Sequence, residues 1–561
     1  PRAMNPQRTQ AETSPRSRTD VLLLVAFCGF LFFYGLGAFG LVGADEPRYA
    51  QVAREMLERS DWVTPTLQGK AWLEKPVLYY WEAMLSFRVF GVTDQAARLP
   101  AAFDAALLVA AVYFFLRRFR PGSELDGALI TASCAAVVGF AHAAATDMPL
   151  AACFAIALLG WYGWYESRRH AYLAVFYFFI ALGTLAKGPV APALAAAVIV
   201  LFAATKRDWR AISRALWIPG IALYLVVMLP WYVAVQLRNP EFFRFFILEH
   251  NLARFSTNVY HHPQPFWFYL PVFALATVPW TIILIAAVAQ RVRLMWSEGW
   301  AKEEFASPED SWDLFLLIWI VVPILFFSAS QSKLPGYIVP AVPAAALLVA
   351  ESLAARRGVG AFNAEGAEGS RGSRDERVFS PLFAAAHGVL CGLLIFAAFS
   401  AASVAVSHRL LWTQGTYIAA AVSAVVALGI AVALRSRAAL GLFSRVTVLA
   451  VVISIAAVVR FAAPVIDATQ SARPIAERIQ SFSREPVPIA VYHLSRERKY
   501  GLEFYLNRPA EQYEDGNIPA AAHVLVAGQS TQAQVAQLVP GRRVSFLTSM
   551  PAQKLDLYWV K

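Results

Sequence analysis

PVLYYWEAMLSFRVFG, residues 76–91, is the stretch on which the fold turns. It is apolar enough to be taken for a membrane span. It also carries Glu82 and Arg88, and it falls short of the roughly 20 apolar residues that a spanning helix needs. If it crosses, every basic loop after it changes side. If it lies on the surface, Arg8/Arg16/Arg18, Arg117/Arg118/Arg120, Arg168/Arg169, Lys206/Arg207/Arg210, Arg291/Arg293, Arg356/Arg357 and Arg435/Arg437 all fall on one side. Basic loops mark the cytoplasm, so the stretch reads as an interfacial helix.

Outward from it, the chain reads as thirteen spans, near residues 21–42, 98–116, 125–144, 148–165, 171–186, 188–204, 216–236, 266–289, 312–329, 336–354, 379–402, 416–434 and 441–460. Composition agrees. Of 561 residues, 58% are hydrophobic and 16% charged, with a mean hydropathy of +0.50. A soluble domain carries about a quarter charged residues. Long apolar runs must be helical, because only a helix satisfies its own backbone in lipid. The net charge of +11 does not point to nucleic acid, since the cations sit in short clusters between apolar runs. The run from Val21 is expected to be a retained span, not a cleavable signal, for want of a small-residue cleavage site.

The predicted fold class is therefore an all-α polytopic membrane protein, residues 1–464, with a small α/β domain over 465–561. In the latter, PIAERIQ has helical spacing, whereas PIAVYHL, HVLVAG, RVSFL and LDLYWV read as strands. An odd span count puts that domain in the periplasm. The first periplasmic loop, 43–97, holds a second surface helix at 46–59, where Val52, Ala53, Met56 and Leu57 form an apolar stripe. The Gly- and charge-rich stretch 355–378 reads as a flexible cytoplasmic loop.

Charged residues at the outer ends of spans run against the basic-inside bias: Asp45, Glu46 and Arg48; Glu74 and Lys75; Asp147; Lys187; Glu249, His250 and Arg254; and Lys333. Ionisable groups near lipid are costly and often functional. Cations suit a phosphate; carboxylates suit an amine, a metal or a hydroxyl. Simpler readings stand beside these. Asp45 and Asp147 precede prolines and fit helix caps. Lys75 fits a snorkelling lysine, and Lys187-Gly188-Pro189 a turn. His261 and His262 fit an exposed loop. With Glu74 they would also suit a structural Zn²⁺. No P-loop, GxSxG or CxxC pattern occurs, which disfavours an ATPase or a serine hydrolase.

DEPRYAQVAREML at 45–57, DW at 61–62, LEKP at 73–76, TDMPL at 146–150, AKG at 186–188, LPWY at 229–232, EHNLARF at 249–255, PFWFYLPV at 265–272, VPW at 278–280 and SKLPGYI at 332–338 occur in one order. In that order, over roughly residues 20–345, the chain resembles the undecaprenyl-phosphate aminoarabinose:lipid A transferases, a branch of the GT-C glycosyltransferases similar to protein O-mannosyltransferases. The resemblance implies transfer of 4-amino-4-deoxy-L-arabinose from undecaprenyl phosphate to a lipid A phosphate, on the outer face of a bacterial inner membrane, with resistance to polymyxin-like peptides. It implies Asp45, Asp147 and Lys75 as catalytic residues. Arg48, Glu74, Lys187, Arg254, Lys333 and Tyr337 would bind substrate. No cofactor is expected in catalysis, only the structural Zn on Glu74, His261 and His262, and the enzyme is expected to act as a monomer. The rivals are a related transferase with another sugar or a protein acceptor, and a flippase for lipid-linked sugars. A flippase would show mid-span ionisable residues and an inverted repeat.

Overall fold

The computed structural model describes residues 15–246, 249, 264–298, 308–357, 381–407, 414–434, 440–482 and 485–561. The chain is mostly helical up to residue 482 and ends in a mixed sheet. Nine helices among the described residues are long and apolar enough to cross a membrane, or eleven if each of two bent pairs is one span. Helix α1 (Pro15–Phe33) and the shorter apolar helix Val190–Lys206 stand at the two remaining predicted positions.

The loop at 43–97 folds as predicted into two helices, α2 (Asp45–Glu58) and α3 (Leu78–Phe90), with a two-stranded turn, Thr66–Leu67 against Lys70–Ala71, between them. At 13 residues α3 is about 20 Å long, short of the roughly 30 Å of a hydrocarbon core. It packs between α2 and α4 (Asp94–Phe119). Thr93 caps α4 by accepting from the Ala96 amide at 3.1 Å.

Two predicted spans are not straight. Residues 125–144 form α5 (Glu124–Ser133) and α6 (Ala135–Ala141), bent by 62° at Cys134, and the segment at 266–289 bends by 116° between Phe266–Ala276 and Thr281–Arg293. The breaks answer each other. The Ala135 amide donates to the Val278 carbonyl at 2.8 Å, and Trp280 Nε1 donates to Ser133 Oγ at 3.0 Å. Broken helices are tolerated at membrane depth where protein satisfies the freed backbone, as here. Beyond them run α7 (Asp147–Ser167) and α8 (His170–Lys187), an antiparallel pair closed by Arg168 and Arg169.

The C-terminal sheet holds five strands in the order β4-β3-β5-β7-β6: β3 (Ile489–Tyr492), β4 (Ala510–Gln512), β5 (His523–Gly528), β6 (Val544–Met550) and β7 (Leu555–Val560), numbered after the two strands of the first loop. β3 is parallel to β4 and β5, and β7 is antiparallel to β5 and β6. Strand alternation gives each face a core: Val524 and Val526 meet Ile475 and Ile479, while Leu525 meets Val535 and Tyr558.

This domain docks on the first loop. The Leu41 amide donates to Tyr505 Oη at 2.6 Å, and that hydroxyl donates to Asp94 Oδ1 at 2.5 Å. Arg473 bridges Asp94 at 3.0 Å and Asp467 at 2.8 Å. Gly40 passes so close that a Cβ there would meet Ser471 Oγ at 2.1 Å and Tyr505 Oη at 2.5 Å, so only glycine fits.

Glu503 lies buried in this seam, with Lys499 at 3.9 Å and the Ala510 amide at 3.3 Å. Burial pushes its carboxyl up to about 7; Lys499, the Ala510 amide and Gln68 oppose the shift, and Glu55 adds to it. A raised carboxyl binds its proton more tightly in the folded state. Its contribution is therefore fully present below the ordinary value of about 4.5 and is lost as pH rises through about 7. The midpoint of C-terminal-domain unfolding should fall between pH 5 and pH 8 by the equivalent of about 1–3 kcal/mol. Glu503→Gln should flatten that dependence, as thermal unfolding across the range would show. An equally steep slope in the variant would exclude Glu503 as its source.

Candidate active site

The site is built on the first turns of two helices. In α2 the N-cap position is Ala44, with no side-chain cap bond, and Asp45 is the first helical residue. In α7 the N-cap is Thr146, again without a cap bond, and Asp147 is first. Neither aspartate caps its helix. Each instead takes a cation. Asp45 Oδ1 accepts from Arg48 at 2.5 Å, and Asp147 Oδ1 accepts from Lys187 Nζ at 2.6 Å.

Around the first pair, Arg48 lies 3.9 Å from Glu74, and its guanidinium sits 5.1 Å from the ring centres of both Tyr49 and Trp72. The Arg48 side chain is 7% exposed and that of Asp45 is 53%, so the carboxylate is the open end of the pair. Burial works against the Arg48 charge, but Tyr49, Asp45 and Glu74 more than offset it and hold its pKa above the ordinary value. Lys75 Nζ donates to the Glu74 carbonyl at 3.3 Å.

Around the second pair, Lys187 Nζ lies 5.0 Å from the ring centre of Tyr337. The loop carrying Tyr337 crosses directly over Asp147, where a Cβ on Gly336 would come within 2.5 Å of Oδ1. Tyr269 pins that loop by donating to the Leu334 carbonyl at 3.1 Å. Lys333 is buried and donates to the Ser330 carbonyl at 2.5 Å, within its own loop. Arg254, His261 and His262 lie outside the described residues. Among the described residues no group of three His, Cys, Asp or Glu side chains is placed to hold a metal.

What joins the two halves was missed in the sequence. Glu46 accepts from the Val42 and Ala144 amides at 2.9 and 2.8 Å and from Arg98 at 2.9 and 2.8 Å. Ala144 is three residues from Asp147, and Glu46 adjoins Asp45, so one carboxylate ties both site segments together. Arg98 is 1% exposed, and all five of its donors are used, the others going to the Leu36, Phe39 and Gly40 carbonyls at 2.8–2.9 Å. The available signal was an arginine one turn inside an apolar helix.

Against known proteins, residues 74–233 match the family model of dolichyl-phosphate-mannose-protein mannosyltransferases. The undecaprenyl phosphate-alpha-4-amino-4-deoxy-L-arabinose arabinosyl transferase of Pseudomonas aeruginosa is 33% identical over 351 residues, 62% of this chain and 61% of that one. The enzyme of the same name from Aeromonas hydrophila is 34% identical over 333 residues, 57% of this chain and 58% of its own. The chain thus spans about three-fifths of the length of the curated relatives it matches. The crystal structure of ArnT from Cupriavidus metallidurans bound to undecaprenyl phosphate superposes with a TM-score of 0.73 at 22% identity, covering 96% of this chain and 97% of that one. Over about three-fifths of its length the chain is similar to the aminoarabinose transferases. The resemblance read from its ordered motifs is borne out, and the superposition extends the shared fold through the C-terminal sheet, beyond the reach of the motifs. It is a multi-pass membrane protein of that fold.

Proposed function

We propose that the chain transfers 4-amino-4-deoxy-L-arabinose from undecaprenyl phosphate to a phosphate of lipid A, at the periplasmic face of the inner membrane, and so protects against cationic peptides such as polymyxin. Thirteen crossings, a monomer and no catalytic cofactor complete the reading. The single observation that carries it is the paired layout of Asp45–Arg48 and Asp147–Lys187 on two helix starts tied by Glu46. In the step, an oxygen of the acceptor phosphate forms the new bond to the anomeric carbon as the bond to the donor phosphate oxygen breaks. A monoester becomes a diester and a diester a monoester, so no net proton is taken up and no strong base is required. Lys75, Arg48 and Lys187 stabilise the charge that develops on the leaving phosphate. Asp45, with its half-exposed carboxylate, meets the ammonium of the sugar, and Asp147 orients the ring. A neutral hexose would forgo that ionic contact and be transferred less well.

The test is purified chain with aminoarabinosyl undecaprenyl phosphate and lipid A, read by mass spectrometry of the lipid. A gain of one aminoarabinose per modified phosphate is expected. Unchanged lipid A would overturn the reading, and sugar on a protein instead would move the acceptor class. Lys75→Ala should lower transfer by about a hundredfold, with expression intact. Parent-level transfer in that variant would remove Lys75 from the donor phosphate.

A further inference from the structure

We propose that Tyr500, from the C-terminal domain, is a positioning residue of this site. Its ring closes an aromatic enclosure around the Arg48 guanidinium, which makes the domain a wall of the site. The inference rests on the reading above only for what Arg48 serves. Its geometry stands alone. The guanidinium carbon lies 5.1 Å from the ring centres of Tyr49 and Trp72 and 5.8 Å from that of Tyr500. Two of these rings come from the first loop and one from more than 420 residues later in the chain.

Arg48 has five donors. One terminal nitrogen is bonded to Asp45, and Nε, though buried, has no hydrogen-bond partner among the described residues. Hydrogen bonds hold the group from the Asp45 and Tyr49 sides, and the rings enclose it. A guanidinium is weakly hydrated and stacks well on aromatic faces, so a closed ring set holds it better than an aliphatic wall of equal size. Held there, it keeps Asp45 turned to the open side of the pair.

Tyr500 is itself placed accurately. It lies in the helix Arg496–Leu506 and packs, half-buried, against the main apolar core. Arg496, one turn before it, lies 6.0 Å from the same ring. One face of α2, at positions 48, 51, 54 and 58, meets this helix and the residue after it. Arg54 donates to the Phe504 carbonyl at 3.1 Å, Gln51 to Asn507 at 3.3 Å, and Asn507 to Glu58 at 3.1 Å. The Tyr505 contacts with Leu41 and Asp94 fix the rotation of the helix. Gly501 next to Tyr500 lets the helix pack closely on Ala472 within its own domain, for a Cβ there would meet Ala472 Cβ at 2.5 Å.

The experiment compares Tyr500→Phe, Tyr500→Trp and Tyr500→Leu in the full chain, with thermal unfolding measured for each. Transfer is read as kcat and donor KM, and the exposure of Arg48 as its rate of modification by phenylglyoxal, followed by peptide mass spectrometry. Phe and Trp should keep parent values. Leu should lower kcat roughly tenfold, change KM less than twofold, and speed modification of Arg48, at an unchanged unfolding midpoint. A merely space-filling role would leave Leu and Phe alike in both readouts, and that result overturns the proposal, as does a Phe variant as impaired as Leu. If Leu does not fold, Met takes its place under the same criteria. The footprint needs no substrate. A parent protein without transfer would therefore sink the functional reading alone, while the footprint still decides the enclosure.

Discussion

Replacing Arg98 with methionine should destabilise the protein by about 3–5 kcal/mol and abolish activity with it. The guanidinium is 1% exposed and satisfies the Glu46 carboxylate and three carbonyls of the segment that leaves α1. Methionine fills much of the volume but donates nothing. It strands a buried anion and three acceptors, and a half-satisfied buried network costs more than none. Glu46→Gln is the milder change, since Arg98 stays in place and the one amide oxygen still accepts from either the Val42 or the Ala144 amide, which bond different oxygens of the carboxylate. Thermal unfolding of both variants in one detergent tests this. The order parent, Glu46→Gln, Arg98→Met is expected, and an Arg98→Met protein that melts with the parent would refute the structural role of the pair.

Asp147→Asn should lower transfer by about a hundredfold or more while the protein stays folded. A helix cap would tolerate asparagine well. Asp147 is not a cap; its carboxylate faces the Lys187 ammonium at 2.6 Å, with both side chains largely buried. Asparagine keeps the shape and removes the charge, so Lys187 loses its partner and turns to whatever anion reaches the site. Asp45→Asn should lose less structure, because its side chain is half exposed, but should also lose transfer, because the carboxylate that bonds Arg48 and faces the open side of the pair loses its charge. Near-parent transfer in both asparagine variants would place the chemistry elsewhere in the loop.

Much of this was legible in the residues. Apolar run length and basic loops located the helices, because lipid leaves the backbone few choices. Glu82, Arg88 and the side-counting of arginines marked 76–91 as a stretch that does not cross, and the 13-residue α3 there is too short to do so. The charge pairs were partly legible. Asp45, Arg48, Asp147 and Lys187 stood out as charges at span ends, but the pairing of Asp147 with Lys187 across 40 residues did not. Local sequence could not show the break at Cys134, which holds no breaking residue and is matched by hydrogen bonds from the second break. The break between Ala276 and Thr281 was legible in Pro279, a helix breaker that counting apolar run length passed over. β4 (Ala510–Gln512) escaped because AEQ has no strand pattern; its place comes from pairing with β3. Tyr500 was not singled out, since nothing within the C-terminal segment says which surface it meets.

Helix α7 has a further consequence. Its most apolar stretch is 94% buried inside the protein, whereas for Ile218–Arg238 the share is 17%. Asp147 thus stands on a post wrapped almost entirely by other helices. Changes in bilayer thickness, acyl-chain order or lateral pressure act first on the outer helices and reach that carboxylate only through protein. An enzyme whose proposed substrates both dissolve in the membrane would then keep half its chemistry mechanically insulated from the solvent that delivers them.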